Sequence, residues 1–236
     1  MGNIYANGLV CIVAASGCSA EAGLPGISVP RKRQIQVPIY ECGISLVSSL
    51  KPDPASYSYV DGSIWSTRGW TFQEYLLSKR IIFFIDGQIM WYCRYTEKTE
   101  DTDSELIPKN THWHISIGSP TTLSDHAVQH PRLSLPYLWS QAAETYASKD
   151  FTFPGDAYDG ITGVISFFEK HGMEFLWGMP RKAFDVQLLW SCHSGHGRRQ
   201  CRTTLPMAST GTQVPFPSWT WLGWEPGKIA FRGASK

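Results

Sequence analysis

Apolar residues fall in short runs along this chain, and their spacing changes from strand-like to helix-like about half-way. Ile4-Tyr5-Ala6-Asn7-Gly8 reads as a helical segment ending at Gly8. Leu9-Val10-Cys11-Ile12-Val13-Ala14-Ala15 is continuous, apolar and β-branched, the pattern of a parallel-sheet strand covered on both faces. Ser16-Gly17 closes it, and Ala20 to Gly26 makes a turn broken by Pro25 and Gly26. Val37–Tyr40 and Ile44–Leu50 read as weak strands, ended by Pro52 and Pro54. A helix then starts at Ser66 or Thr67, either of which is a suitable N-cap. On it Trp70, Glu74 and Leu77 share one face, while Phe72 and Leu76 form a second apolar stripe.

Ile81–Ile85, Asp86-Gly87 and Gln88–Cys93 form a β-hairpin pattern, since Asp-Gly tolerates the positive φ values of a type I′ turn. Threonine and acids dominate from Thr96 to Asp103. A loop-rich stretch with His112, His114, His126 and His130 follows to about Pro136; no ligand spacing links these histidines, and solvated loop positions suit them. Helical spacing returns with Leu138, Trp139, Ala142, Ala143 and Tyr146. Asp156 can cap a second helix with Ile161, Val164, Ile165 and Phe168 on its apolar face and Lys170-His171-Gly172 at its end. Pro180 opens a third, with Phe184, Leu188 and Leu189 as its buried stripe. Pro217 to Trp224 alternates like a strand, with Trp219 and Trp221 on one face.

Composition narrows the functional classes. Apolar residues make up 42% of the 236 and charged residues 17%, enough to bury a core. A net charge of +1 without a clustered basic face gives no support to a nucleic-acid or anionic-membrane partner. The apolar run at Leu9–Ala15 is too short to span a bilayer and lacks a basic flank. Cys11, Cys18, Cys42, Cys93, Cys192 and Cys201 therefore read as reduced thiols of an intracellular, cytoplasmic protein. Cys192, His193, His196 and Cys201 are close in sequence but lack the paired spacing of a metal knuckle, so a polar loop is expected and no metal is assigned. The 10 tryptophans sit mostly within apolar periodic segments, which favours core packing over a carbohydrate platform at Trp219, Trp221 and Trp224.

One segment carries most of the functional information: Arg68-Gly69-Trp70-Thr71-Phe72-Gln73-Glu74. It resembles the signature of fungal heterokaryon incompatibility (HET) domain proteins. The Met1–Asn7 segment, Cys11–Gly17, Ala22–Gly26, the Leu77–Arg80 step, and Gln88 with Trp91 and Cys93 resemble successive parts of the same family. Pro154–Gly163, Phe175–Pro180, Phe184-Asp185, Leu188–Trp190 and Pro217–Trp224 resemble the region that trails such domains. The family's opening Ser-Tyr-x-Trp-Gly strand, first helix and Trp-Ile-Asp-x-Leu-Cys-Ile strand do not occur, so the resemblance is to a HET protein lacking the N-terminal half of its domain. It implies an α/β or α+β fold with a partial Toll/interleukin receptor-like core of strand, helix and hairpin, then a mostly helical region with a Trp-rich terminal strand. Residues 1–94 would be the C-terminal half of the HET-like domain, 95–135 a loop-rich linker and 136–236 the trailing region.

The resemblance implies a non-self recognition and programmed cell death module acting through other proteins, full-length HET-like proteins among them. Signature residues Arg68, Gly69, Trp70, Thr71, Gln73 and Glu74 would then be scaffold. A second reading is enzymatic. Toll/interleukin receptor-like relatives include NAD-cleaving members that use one glutamate, and Glu74 beside Trp70 would be partly desolvated, as a catalytic acid often is. The balance leans away from an enzyme, because Glu74 bonded to Arg68 or to backbone amides is the more ordinary fate of a carboxylate near a core. No glycine-rich phosphate loop or nucleophile elbow occurs, and no cofactor is implied. A third reading is an inactive remnant or regulator.

Overall fold

A computed structural model describes residues 2–31, 38–47, 60–93, 96–100, 134–193, 197–199, 202–204 and 213–231. The fold mixes α and β. In chain order the elements are α1 (Gly2–Asn7), β1 (Cys11–Ala14), β2 (Pro38–Glu41), β3 (Ile44–Val47), α2 (Ile64–Thr67), α3 (Thr71–Leu77), β4 (Arg80–Phe84), β5 (Ile89–Cys93) and β6 (Thr96–Thr99). After these come α4 (Leu135–Ala147), α5 (Thr162–Lys170), β7 (Phe175–Leu176), β8 (Met179–Pro180), α6 (Phe184–Gln187), β9 (Trp190–Cys192), β10 (Arg202–Thr204), β11 (Gln213–Pro215) and β12 (Ile229–Phe231). The histidines at 112, 114, 126 and 130, and the pair His196 and Cys201, lie outside the described residues. Among the described residues no helix is long and apolar enough to cross a membrane.

Two compact units share the chain by threading rather than by succession. One comprises residues 8–67 and 79–114; the other comprises 1–7, 68–78 and 115–236. The first unit is built on a sheet of order β1-β4-β5-β6. β1 runs parallel to β4, and the other two pairings are antiparallel. Period-two alternation sorts its side chains: the cross-strand row Val13–Phe83–Met90–Thr99 is buried, and the neighbouring row Ile12–Ile82–Trp91–Lys98 is not. Phe83 meets Tyr92 and Trp65 edge-on, at ring centroid distances of 5.4 and 5.7 Å.

Three expectations for this unit change. β1 is an edge strand with Ile12 59% exposed, so its continuous apolar run does not mark burial on both faces. The hairpin at Asp86-Gly87 forms in the expected register, but neither residue takes positive φ. The left-handed two-residue turn occurs instead at Cys42-Gly43 (φ 51° and 78°), which closes β2 onto β3. Thr96–Thr99, read as part of a loop, is the fourth strand, because its register with Cys93–Met90 supplies a partner for every residue.

The second unit holds a core of Phe72, Leu76, Leu138, Trp139, Tyr146, Ile161, Val164, Phe168, Met179 and Leu222, among others. α4 follows the expected spacing, with Ser134 Oγ accepting from the Tyr137 amide at 3.3 Å as its cap and Pro136 in its first turn. α5 begins at Thr162 and not at Asp156, which lies inside a separate 3-10 turn, Pro154–Ala157. The expected third helix shrinks to α6. The turn Trp177-Gly178 (φ 52° and 72°) folds Phe175–Pro180 into a small hairpin, and Leu188 and Leu189 end 40% and 59% exposed. The Trp-rich terminal strand is absent as well: Thr220 caps a 3-10 turn, Trp221–Gly223, that buries Trp221. A carbohydrate platform with Trp219 and Trp221 side by side is thereby lost.

Two outcomes follow for the first unit. Arg31 Nη2 holds both Glu100 oxygens, at 2.8 and 2.6 Å, and Glu100 also accepts from the Ile89 amide. The Arg31 hydrogen bond is the main cause of the Glu100 carboxyl lying below its ordinary 4.5. A carboxylate depressed in the folded state stabilises it above the unfolded value and loses that contribution as pH falls through the folded one. Urea titrations from pH 7 down to pH 3 should therefore show a stability loss below about pH 4.5 that is smaller in Glu100→Gln. Gln88 is buried with both amide atoms unpartnered. Gln88→Met should raise the urea midpoint or leave it unchanged, because it removes an unpaired amide at nearly constant volume.

Candidate functional site

The signature is not one helix. Ile64–Thr67 forms the single turn α2, in which Ser66 Oγ donates to the Asp61 and Ser63 carbonyls. Arg68 then pairs as an isolated bridge with Asp150, and the Gly69 amide donates to the Asp150 carbonyl at 2.8 Å. That extended step separates α2 from α3, so Ser66 and Thr67 do not cap the signature helix. Trp70 occupies the N-cap position in αR conformation, without a side-chain cap, and Thr71 Oγ1 donates to the Arg68 carbonyl at 2.8 Å.

Each remaining signature side chain meets a partner far away in sequence but inside the same unit. Gly69 lies under the Phe151 ring, where an added Cβ would fall 1.9 Å from Cζ. The Trp70 indole donates to Asp156 Oδ2 at 3.3 Å. Phe72 packs on Tyr146 at 5.1 Å between ring centroids. Gln73, fully buried, accepts from the Gly163 amide at 2.9 Å and donates to the Asp159 carbonyl at 3.3 Å. Glu74 is half-buried and accepts a hydrogen bond from the Tyr5 hydroxyl at 3.3 Å, not from Arg68. So Trp70 and Glu74, expected to share one environment, engage different partners.

Charge and burial around these partners are uneven. Asp159 is raised above the ordinary carboxyl value, first by burial and then by the Asp156 charge. The Tyr146 hydroxyl donates to the Ala157 carbonyl at 2.9 Å, and burial pushes its pKa well up. Burial likewise raises Tyr158 to about 12. Beside them Arg199 donates to the Leu222 carbonyl and places its guanidinium 5.6 Å from the centre of the Phe151 ring. Among the described residues no group of three or more His, Cys, Asp and Glu is arranged to hold a metal ion.

Arg68 to Glu74 was legible in sequence as one motif and Pro154–Gly163 as another. That the second is the docking surface of the first was not. The partners of Trp70 and Gln73 are 86 to 90 residues away, beyond the reach of any periodicity. Tyr146 and Phe151 carry no motif at all; Tyr146 was legible only as part of the apolar face of α4, and Phe151 gave no sequence signal.

The family model described as heterokaryon incompatibility protein (HET) matches residues 1–74. Over those residues the chain is HET-like. The match spans α1, β1 and the signature and ends at Glu74, so the hairpin β4–β5 and the whole docking surface at 146–163 lie beyond the HET-like stretch. No curated protein and no solved structure matches the chain.

The Gly69–Phe151 contact makes a quantitative test. Gly69→Ala should destabilise the protein by about 1–3 kcal/mol in urea unfolding, as overpacking does. Pairing it with Phe151→Leu should return part of that loss, whereas simple additivity would show that the ring is not what confines Gly69.

Proposed function

We propose that this protein is a heterokaryon-incompatibility-type module of non-self recognition and cell death that acts through contacts with other proteins, HET-like proteins among them. One observation carries the reading. Gly69, Trp70, Phe72, Gln73 and Glu74 are each engaged with the protein's own residues, at Phe151, Asp156, Tyr146, Asp159 with Gly163, and Tyr5. A motif whose side chains are committed in this way works as scaffold, and the signal then passes through surfaces that it holds in shape. The parallel pair β1–β4 suits the Toll/interleukin receptor-like core that the family resemblance implies.

A second reading makes Glu74 the catalytic carboxylate of an NAD-cleaving or other hydrolase. Its half-exposed position favours that reading, since the carboxylate is not sealed inside the core. The Tyr5 hydroxyl would then hold and orient the acid.

Inducible expression in a fungal host separates the two. Under the scaffold reading, loss of viability persists in Glu74→Gln at equal protein level and disappears in Gly69→Val, which cannot dock beneath Phe151. Loss of the effect in Glu74→Gln, together with a fall in cellular NAD that occurs only in the wild type, would give the site to catalysis. No growth effect from any form would overturn the signalling reading for this chain.

A further inference from the structure

The four-stranded sheet has two edges, and they differ in kind. β6 carries Glu97 and Lys98, the charges that ordinarily keep an edge strand from pairing with another chain. β1 has no such protection, since Leu9 to Ala15 contains no charge and no proline. Leu9 and Ile12 are 77% and 59% exposed there.

Backbone parity decides what the β1 edge presents. The Ala15 amide donates to the Phe84 carbonyl, and Arg80 Nη1 donates to the Leu9 carbonyl at 3.4 Å. Odd-numbered residues of the strand therefore turn their backbone groups toward β4, and even-numbered residues turn theirs outward. The Ile12 amide, the Ile12 carbonyl and the Ala14 amide point out, and none of the three meets a partner among the described residues. The Ala14 carbonyl is taken by the Gly17 amide at 3.2 Å. Ile12 thus offers a donor and an acceptor to one side of an uncharged strand, which makes this edge complementary to itself.

We propose that β1 is a self-association edge, where a second copy of this chain pairs antiparallel about a two-fold axis at Ile12. The two Ile12 residues then exchange both of their backbone bonds, as a hydrogen-bonded antiparallel pair does. The Ala14 amide falls opposite the Val10 carbonyl of the second copy. An even register of this kind keeps the same face of both sheets on one side, so the row Trp91–Ile82–Ile12 continues into its counterpart. The contact is isologous and closes at two copies. Strands this short bury less than the about 1,200 Å² of a durable complex, so the association is weak and concentration-dependent. It rests on the edge alone and holds under either functional reading.

Sedimentation velocity and amide exchange with water by NMR, both on the full chain, test it. The mass should be that of a monomer at about 5 µM, with dimer a substantial fraction by about 500 µM. Over that range exchange at Ile12 and Ala14 should slow about twofold or more, while Val13, already bonded to β4, should not change. Ile12→Lys and Ile12→Pro should stay monomeric at every concentration with unchanged near-ultraviolet circular dichroism. Proline is tolerated there because the Ile12 amide faces out. A wild type that remains monomeric throughout overturns the proposal. So does a dimer that survives Ile12→Lys; its loss in Ile39→Lys or Leu46→Lys instead would give the contact to the exposed hairpin β2–β3. Should an Ile12 variant not fold, the exchange pattern decides alone: equal slowing at Ile12, Val13 and Ala14 overturns pairing at this edge.

Discussion

The buried amide of Gln73 organises the second unit. A glutamine with no exposure must have its donor and its acceptor satisfied or cost the folded state heavily. Here the acceptor takes the Gly163 amide and the donor takes the Asp159 carbonyl, which sets both the height and the rotation of α3 against the turns that lead into α5. Apolar packing alone would tolerate a helix sliding by a fraction of a turn. Two bonds of opposite polarity on one planar group do not. Glycine at 163 follows from this, because a side chain there would displace either the amide of Gln73 or the backbone of Gly2.

Much of the local structure was legible because it depends on local chemistry. The α4 spacing, the hairpin around Asp86-Gly87 and the first helix and strand all follow from residues within one or two turns of each other. The failures have a common cause, which is that a distant partner outweighed local preference. Arg68 and Gly69 lie in a helix-compatible run, yet pairing with Asp150 draws the backbone out of helix there. Leu188 and Leu189 looked like a buried stripe, but the Trp177-Gly178 turn spends the preceding residues on a hairpin. Trp219 and Trp221 alternate like strand residues, yet the Thr220 hydroxyl bonds the Leu222 amide and the Trp177 carbonyl, and the chain coils instead. For the candidate site the motif residues could be read off but their roles could not. Whether Glu74 meets Arg68, a backbone amide or a phenol depends on where α1 docks, and no spacing encodes that.

The HET-like stretch ends at Glu74, while the residues that receive Gly69, Trp70, Phe72 and Gln73 begin at Tyr146. The motif is thus one half of a contact surface. Its sequence is constrained by a surface that the family match does not cover, so a chain sharing the signature without the 146–163 surface would have to hold α3 in another way.

The threading of the chain has a consequence for how the protein is made. α1 and α3 belong to the same unit as α5, yet roughly 160 residues separate Gly2 from the Gly163 it packs against. At about 5–20 residues per second, synthesis leaves α1 waiting on the order of ten to thirty seconds for Gly163, and the apolar face of α3 roughly four to eighteen seconds for the surface that covers it. Phe72 and Leu76 have no native cover during that interval. The second unit can complete its core only after Phe231 has emerged, because Ile229 and Phe231 pack into it. A cell that makes this protein has to shield the nascent signature for as long as its other half is still on the ribosome.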